Sequence, residues 1–373
     1  MIMSLPRVFR TSVVMAGLLA AGLHQVKAAP LVTGFNVVNP MMGSEVARDA
    51  VIPQLQAAGV HLVRFGLQPD AQSMAFARAL NAAGIKIDLI VPPQYPPDAP
   101  KRAYDAAQYP QMWGGHPLSY ADPQRSSQYF QTLLGMLDAN GIQLAGLELG
   151  NEINWTAFNQ DFPLPGKGMV FGLADLQTDP EAEQIAKGYL QYLKVLAVLK
   201  QARDGATLNR NTPIILGGLA GGGPEGPEAN SRLDKVSIDA TLDFMRAHGL
   251  DNLVDAYGIH IYPRSQDPAA LPQDITQYDA GECRAAGQAG GKPCWVTEWG
   301  VGNNQQTCPL DESKRLPLIQ AFNQEFETLN AQGRVAVVIY FSWDSSPGAK
   351  KPTPFSVYRC GGLTAAGQLA ASQ

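Results

Sequence analysis

The sequence predicts an α/β protein built as a single (β/α)8 TIM barrel with long loops at its C-terminal face. Three observations support this fold class: a repeated helix–glycine–strand pattern, eight apolar segments of strand length, and a chain of 373 residues. Barrels of this type need about 250 residues and accept insertions in the loops that follow their strands. An open, doubly wound sheet is the alternative, because it also alternates strands with helices.

The first observation is a glycine that separates a helical stretch from an apolar run. Glycine directly after a helix is the expected left-handed cap, and a buried parallel strand is a continuous apolar run. The pattern occurs at Gly59, Gly84, Gly141, Gly249 and Gly333. The repeated unit is therefore helix, cap and strand.

The apolar segments and the stretches between them give the predicted elements. The strands are Val32–Val38, His61–Leu67, Ile85–Val91, Gln143–Gly150, Pro213–Leu219, Leu253–Tyr262, Cys294–Trp299 and Val335–Trp343. The helices are Ser44–Ala58, Asp70–Ala83, Asp122–Ala139, Pro180–Asp204, Leu233–Ala247, Asp311–Ala331 and a short closing helix, Thr364–Ala371. The longest connection, Pro92–Ala121, follows the third strand and would lie at the C-terminal face, where barrels build active sites.

The first 28 residues are predicted to be a secretory signal peptide, which leaves residues 29–373 as the barrel. Arg7 and Arg10 precede an uncharged run, and small residues occupy the −3 and −1 positions of a cut after Ala28. A membrane anchor is the alternative, but this run is shorter than the about 20 residues that span a bilayer. The mature protein is therefore expected to be secreted or periplasmic, without a membrane segment.

Charge and cysteine content narrow the partners. Cleavage would remove three basic and no acidic residues, so the formal charge would change from −5 to −8, which disfavours nucleic acid and anionic membranes. The four cysteines allow three pairings, and we favour Cys283 with Cys294 and Cys308 with Cys360, which join neighbouring segments. No metal or cofactor is expected, since no metal-binding spacing is present, and a monomer is expected.

Polar and aromatic side chains cluster at the predicted strand ends. They are Arg64, Asn151, Glu152, His260, Tyr262, Glu298 and Trp343. Each alone has an ordinary structural explanation, but a closed barrel brings these ends to one rim. Charged groups inside a barrel mouth are unfavourable unless they are paired or functional. The set therefore predicts an active site, and Asn36, Trp155 and Trp299 are added as further candidates for substrate binding.

Two carboxylates across a pocket fit the cleavage of a glycosidic bond. One protonates the leaving oxygen, while the other attacks the anomeric carbon or activates water. Glu148 lies on the same side of its strand as Glu152 but about 13 Å away along it. We therefore predict that Glu148 is a paired structural carboxylate rather than a catalytic one.

The order of these motifs resembles the clan A retaining glycoside hydrolases, which include cellulase-like family 5, family 39 and heparanase-like family 79. The shared features are Arg after strand two, "LGNE" at strand four, His-x-Tyr on strand six, Glu at the end of strand seven and Trp on strand eight. The "LGNE" form is closest to families 39 and 79. The resemblance spans nearly the whole mature chain, although each motif is short.

The resemblance implies a role for each matching residue. Glu152 would be the general acid/base and Glu298 the nucleophile, while Arg64 and Tyr262 would keep Glu298 ionised. Asn151 would hydrogen-bond a hydroxyl of the sugar, and Trp343 would offer a flat apolar face to the sugar ring. His260 would orient substrate hydroxyls or the nucleophile.

Three departures from the pattern put the substrate in doubt more than the chemistry. Family 5 enzymes place a His after strand three, where this chain has "VPPQYPP", so Gln94, Tyr95 or His116 would substitute. Ile153 replaces the usual Pro after Asn-Glu, and no segment can form the β-sandwich common in families 39 and 79.

The prediction is an exported retaining β-glycoside hydrolase acting on a β-linked polysaccharide or oligosaccharide. Endo-action is preferred, because the long insertion contains aromatic residues that could line a cleft, namely Tyr95, Tyr104, Tyr109 and Trp113. The same residues could equally wall off a pocket. Two alternatives remain: a transglycosylase, and a non-catalytic polysaccharide-binding barrel in an exopolysaccharide pathway.

Overall fold

Eight parallel strands close into a barrel in which each strand pairs with the next along the chain and the last pairs with the first. They are β1 Val32–Asn36, β2 Leu62–Gly66, β3 Lys86–Val91, β4 Gly146–Leu149, β5 Ile214–Ala220, β6 Ala256–Ile261, β7 Cys294–Trp299 and β8 Val335–Tyr340. The predicted (β/α)8 barrel is confirmed, and the doubly wound sheet is excluded. The closing contact between β1 and β8 places Phe35 opposite Tyr340.

This computed structural model describes residues 29–109, 112, 114–221, 232–349 and 351–372. The predicted signal peptide, residues 1–28, and Trp113 of the long insertion lie outside the described residues. Within the described part, no helix has both the length and the apolar composition that membrane crossing requires.

Helices follow the strands in the expected order. They are α1 Glu45–Asp49, α2 Val51–Ala57, α3 Ala71–Ala82, α4 Pro123–Ala139, α5 Pro180–Asp204, α6 Ile238–Ala247, α7 Arg315–Ala331 and α8 Ala365–Ala371. Shorter helical turns lie in the loops. The five predicted cap glycines all have φ between 68° and 94°, the left-handed region that glycine enters without strain.

The predicted start of α6 at Leu233 is wrong. Lys235–Val236 instead pairs with Val170–Phe171 as a small parallel sheet on the loop side of the barrel. The helix begins only after Ser237, whose hydroxyl accepts a hydrogen bond from the Ala240 backbone N–H at 3.4 Å. Ser at this position satisfies one of the free N–H groups of the first turn.

The lower end of the barrel interior is filled by apolar side chains. Leu62, Ile215, Ala256, Trp295, Val337 and Ile339 form one buried cluster there. A larger apolar cluster lies between the barrel and its helices. The barrel interior also contains buried polar side chains, among them Asp88, Arg64 and Glu148.

Two disulfides join the segments that the sequence predicts. Cys283 bonds to Cys294 at the start of β7, and Cys308 in the loop after β7 bonds to Cys360 near the C-terminus. Both favoured pairings are therefore confirmed. The second bridge links the β7 loop to the hairpin Tyr358–Arg359 and Gly362–Leu363, which precedes α8.

Candidate active site

Arg64 lies at the centre of the polar end of the barrel, where it is 1% exposed. Its Nε and Nη2 donate to the Glu148 carboxylate at 2.6 and 3.0 Å, and Nη1 donates to Glu298 at 2.8 Å. The remaining donors reach Asn36 Oδ1 at 2.9 Å and Asn151 Oδ1 at 2.8 Å. All five N–H groups of the guanidinium are therefore used within the protein.

The predicted pairing of Glu148 is confirmed by this geometry. Besides Arg64, its carboxylate accepts hydrogen bonds from the Gly218 backbone N–H at 2.6 Å and from Thr297 Oγ1 at 3.2 Å. Burial alone would lower the pKa of Arg64, but the adjacent carboxylates of Glu148 and Glu298 outweigh it and raise that pKa. Arg64 therefore stays charged and connects a buried structural carboxylate to one at the pocket.

We expect Arg64→Met to lower the free energy of unfolding by about 3–5 kcal/mol, because it leaves Glu148 buried without its counter-charge. Urea denaturation would measure the change. Arg125→Met is the matched control, because Arg125 is half exposed and its ion pair with Asp122 is 3.6 Å long. Surface pairs of this kind contribute about 1 kcal/mol or less. Equal losses in both variants would contradict a central role for Arg64.

Glu298 is held in the ionised state by its neighbours. In addition to Arg64, the Tyr262 hydroxyl donates to its Oε2 at 2.8 Å. Burial alone would raise the pKa of Glu298, but the charges of His260 and Arg64 and the two hydrogen bonds outweigh it and lower the pKa. An ionised carboxylate that faces a cavity is suited to act as a nucleophile.

A β-bulge in β7 directs Glu298 into the barrel and Trp299 out of it. Ile259 of β6 lies opposite Val296 of β7, but the next residue, His260, lies opposite Glu298. β7 therefore contains one extra residue between these two pairs. Such a bulge re-aims the side chains that follow it. The prediction that Trp299 binds substrate is therefore wrong: its ring is 1% exposed and packs 5.2 Å from Phe322 of α7.

Glu152 lies just beyond β4, beside the imidazole of the fully buried His260. Its Oε1 is 2.8 Å from His260 Nδ1, whereas Glu298 Oε2 is 3.6 Å from the same nitrogen. The nearer partner of His260 is thus Glu152 rather than the predicted nucleophile. Burial raises the pKa of Glu152, and the hydrogen bond from His260 only partly offsets this effect. A carboxyl group with a raised pKa is suited to donate a proton.

The backbone at Glu152 is in the left-handed region, with φ 43°. Its N–H donates to the Gly218 carbonyl at 2.7 Å, which holds the turn against β5. This conformation is uncommon for residues other than glycine, and it persists only where the surroundings enforce it. The turn therefore belongs to the positioning of the Glu152 carboxyl.

Gly218 is a position where the site allows no side chain. A Cβ atom there would lie 2.0 Å from His260 Nε2 and 2.6 Å from Thr297 Oγ1. Gly218 also lies within a register shift in β5, between Leu216 and Leu219, where the backbone comes close to β6. A glycine is therefore required for His260 to reach Glu152.

We expect Gly218→Ala to lower the free energy of unfolding by about 1–3 kcal/mol and to reduce activity, because the methyl group displaces His260. Denaturation and kcat/KM would both be measured. Gly205→Ala, where the nearest atom would be at an ordinary 3.5 Å, is the control and should change stability by less than about 1 kcal/mol. Wild-type activity in Gly218→Ala would contradict the positioning role.

The structure does not bring Trp343 to the pocket, so its predicted role is wrong. Trp343 is fully buried outside the barrel wall, where its ring packs 5.3 Å from Phe35 and 5.4 Å from Tyr358. The strand ends at Tyr340, and Phe341, the first residue beyond it, lines the cavity instead. The sequence "YFSW" predicts an aromatic ring at the end of β8, but it does not show whether the ring at the cavity belongs to Phe341 or to Trp343.

A cavity of about 330 Å³ lies beside Glu298 at the ends of β1, β2 and β3. Asn36 and Asn151, two of the residues predicted to bind substrate, line it together with Phe158, which was not predicted. The structure does not bring Trp155 to this cavity. Its ring instead packs in the apolar cluster of Tyr104 and Leu164 beneath the long insertion.

The residues proposed to replace the family 5 histidine lie away from Glu298. Tyr95 stacks on His116 with ring centroids 4.9 Å apart, and His116 Nδ1 contacts the Pro100 carbonyl at 2.9 Å. Gln94 bonds through its amide to the Pro92 carbonyl at 3.2 Å. None of the three lines the cavity beside Glu298.

Glu152, His260 and Glu298 are also the one group of potential metal ligands within the described ranges, with one atom of each within 4.8 Å of the others. However, Nη1 of the permanently charged Arg64 is 2.8 Å from Glu298, which disfavours a second cation there. The arrangement fits proton transfer and nucleophilic attack, with an acid, an ionised carboxylate and a cavity side by side.

Comparisons with known proteins are consistent with this geometry. Residues 227–370 match the family model of the glycosyl hydrolase catalytic core. No curated protein sequence is significantly similar to the chain. The similar solved structures include a fungal β-1,4-galactanase, at 13% identity over 92% of this chain and 100% of that chain, with a TM-score of 0.57.

Two bacterial structures show the same likeness. A β-glucosidase from Exiguobacterium marinum is 13% identical over 91% of this chain and 97% of its own, with a TM-score of 0.52. An exo-β-1,4-mannosidase from Opitutaceae bacterium strain TAV5 is 12% identical over 92% and 59%, with a TM-score of 0.50. At these identities the likeness shows a shared barrel fold. Together with the match of residues 227–370 to the glycosyl hydrolase catalytic core, it supports the resemblance that the strand-end motifs predict.

Proposed function

We propose that the protein is a retaining β-glycosidase that cleaves a β-linked polysaccharide or oligosaccharide, with Glu298 as nucleophile and Glu152 as general acid/base. One observation supports this most: an oxygen of Glu152 lies within 4.8 Å of an oxygen of Glu298. The two carboxyl groups of retaining enzymes are about 5–5.5 Å apart, whereas those of inverting enzymes are about 6.5–9.5 Å apart to admit a water molecule.

The reaction follows from the protonation states. Glu298, ionised beside Arg64 and Tyr262, attacks the anomeric carbon and forms a covalent glycosyl ester, while Glu152 gives its proton to the departing oxygen. Glu152 then takes a proton from water, whose oxygen attacks the anomeric carbon and breaks the ester bond. His260, at 2.8 Å from Glu152, stabilises that carboxylate between the two steps. Two displacements leave the anomeric configuration unchanged.

We propose further that the protein works outside the reducing cytosol. All four cysteines are paired in two disulfides, and disulfides persist in secreted and periplasmic proteins. This supports the export that the N-terminal sequence predicts.

The test is the configuration of the first product. Wild-type protein would be incubated with a panel of aryl β-glycosides and β-glycans, and early spectra would be recorded by proton NMR. We expect the β-anomer to appear first and then to equilibrate. Initial formation of the α-anomer would exclude the double displacement, even though it would leave the protein a glycosidase.

A further inference from the structure

We infer that the sugar attacked by Glu298 is uncharged, so that the cavity accepts a neutral glycone and rejects a uronosyl group. This inference rests on the proposed function, because it assigns the substrate class of the same site. It depends on where the cavity lies, on the state of its single cation and on the character of its walls.

The cavity lies on the glycone side of the cleaved bond. Glu298 and Asn151 line it, whereas Glu152 does not. Because Glu152 is proposed to protonate the departing oxygen, the leaving group lies on the side of Glu152. The cavity beside the nucleophile therefore holds the glycone. At about 330 Å³ it is at the small end of the range of about 300–1,000 Å³ that small-molecule sites occupy.

Among the residues that the structure describes, Arg64 is the single basic one that lines this cavity, and it has no donor left for a substrate. Its five N–H groups bond to Glu148, Glu298, Asn36 and Asn151. Sites that recognise carboxylates present a guanidinium fork that is free to bind both oxygens. A substrate carboxylate would instead have to displace a protein carboxylate from Arg64.

The walls of the cavity would destabilise a bound anion. Six of its twelve lining residues have apolar side chains, namely Val37, Val38, Phe65, Ile90, Phe158 and Phe341. Transfer of a carboxylate to such surroundings is unfavourable unless a partner compensates for the lost water. The ionised Glu298 adds direct repulsion. Desolvation and charge therefore both favour a neutral sugar, whose C–H faces can pack against the aromatic rings.

The test compares aryl β-glycosides that differ only at C6. The pairs would be glucoside with glucuronide and galactoside with galacturonide, assayed with the wild-type protein. Within each pair that is hydrolysed, we expect kcat/KM for the neutral member to exceed that of the uronoside by at least about 100-fold. A uronoside hydrolysed within tenfold of its neutral partner would overturn the inference.

A charge placed in the cavity should change this selectivity. In Val38→Lys we expect the ratio of kcat/KM for uronoside to that for glycoside to rise by about tenfold, since the new cation lacks a protein partner. Val38→Met, of similar size and without charge, is the control and should keep the wild-type ratio. Thermal unfolding would show that both variants are folded. A folded Val38→Lys protein with an unchanged ratio would count against the inference.

Calorimetric titration separates this inference from the proposed reaction. Glu152→Gln keeps the charge of Glu298, and the corresponding methyl glycosides, whose poor leaving group this variant cannot protonate, would be titrated into it. If no glycoside is hydrolysed by the wild type but the neutral member binds more tightly, the proposed function fails and the inference stands. Equal affinity for both members would overturn the inference whatever the activity.

Discussion

Glu298→Gln is expected to reduce kcat by at least about 10⁴-fold on every β-glycoside that the wild type hydrolyses, because the amide cannot form the glycosyl ester. Steady-state kinetics with aryl glycosides would measure the loss. Glu183→Gln, which changes an exposed carboxylate on α5 in the same way, is the matched control and should keep wild-type activity. Residual activity above about 1% in Glu298→Gln would remove Glu298 as the nucleophile.

The identity of the nucleophile can also be read directly. A 2-fluoro glycoside with a good leaving group slows the second displacement, so the covalent ester should accumulate. Peptide mass spectrometry of the wild type is expected to find the sugar on Glu298. A label on Glu152 or elsewhere would refute the assignment independently of the kinetics.

Glu152→Gln is expected to have the second largest effect, a loss of about 10²–10⁴-fold in kcat, which is the usual contribution of general acid–base catalysis. The loss should be largest for glycosides with poor leaving groups, which depend on protonation, and smallest for activated aryl glycosides. The same exchange at Glu183 is again the control. A loss that did not vary with the leaving group would argue against proton donation by Glu152.

The pH profile of kcat/KM follows from the two opposed pKa shifts. Glu298 is proposed to act when ionised and its pKa is lowered, so the acidic limb of the profile, where Glu298 becomes protonated, should lie at low pH. Glu152 is proposed to act when protonated and its pKa is raised, so activity should fall again as the pH rises through that pKa. The wild-type profile should therefore be bell-shaped. Glu152→Gln should lose the alkaline limb, and an unchanged alkaline limb would assign it to another group.

Most of the fold could be predicted because its signals are local. Each observed strand extends at most one residue beyond its predicted segment, since buried parallel strands are continuous apolar runs. The cap glycines marked where helices end. The start of α6 was predicted five residues too early, because Lys235–Val236 pairs with a strand 65 residues away in the chain. No local pattern records such a contact.

The charged part of the site was also predictable, but the aromatic part was not. We could single out Arg64, Glu148 and Glu298 because charged side chains inside a barrel are unfavourable unless they are paired or functional. The orientation of Trp299 depends on a bulge in β7, and that of Trp343 on how the chain turns after β8. Aromatic rings satisfy the apolar pattern on either side of the wall, so only the three-dimensional structure distinguishes them.

The left-handed backbone at Glu152 lowers the stability of the protein, whereas the side chain at this position is proposed to serve its activity. For a residue other than glycine, this conformation costs about 1–2 kcal/mol, which glycine at the same place would recover. Selection of random variants for heat resistance alone would therefore favour loss of the carboxyl group that we propose as the general acid/base. A thermostable form of this enzyme is better sought at helix termini and in surface loops, with position 152 kept under selection for turnover.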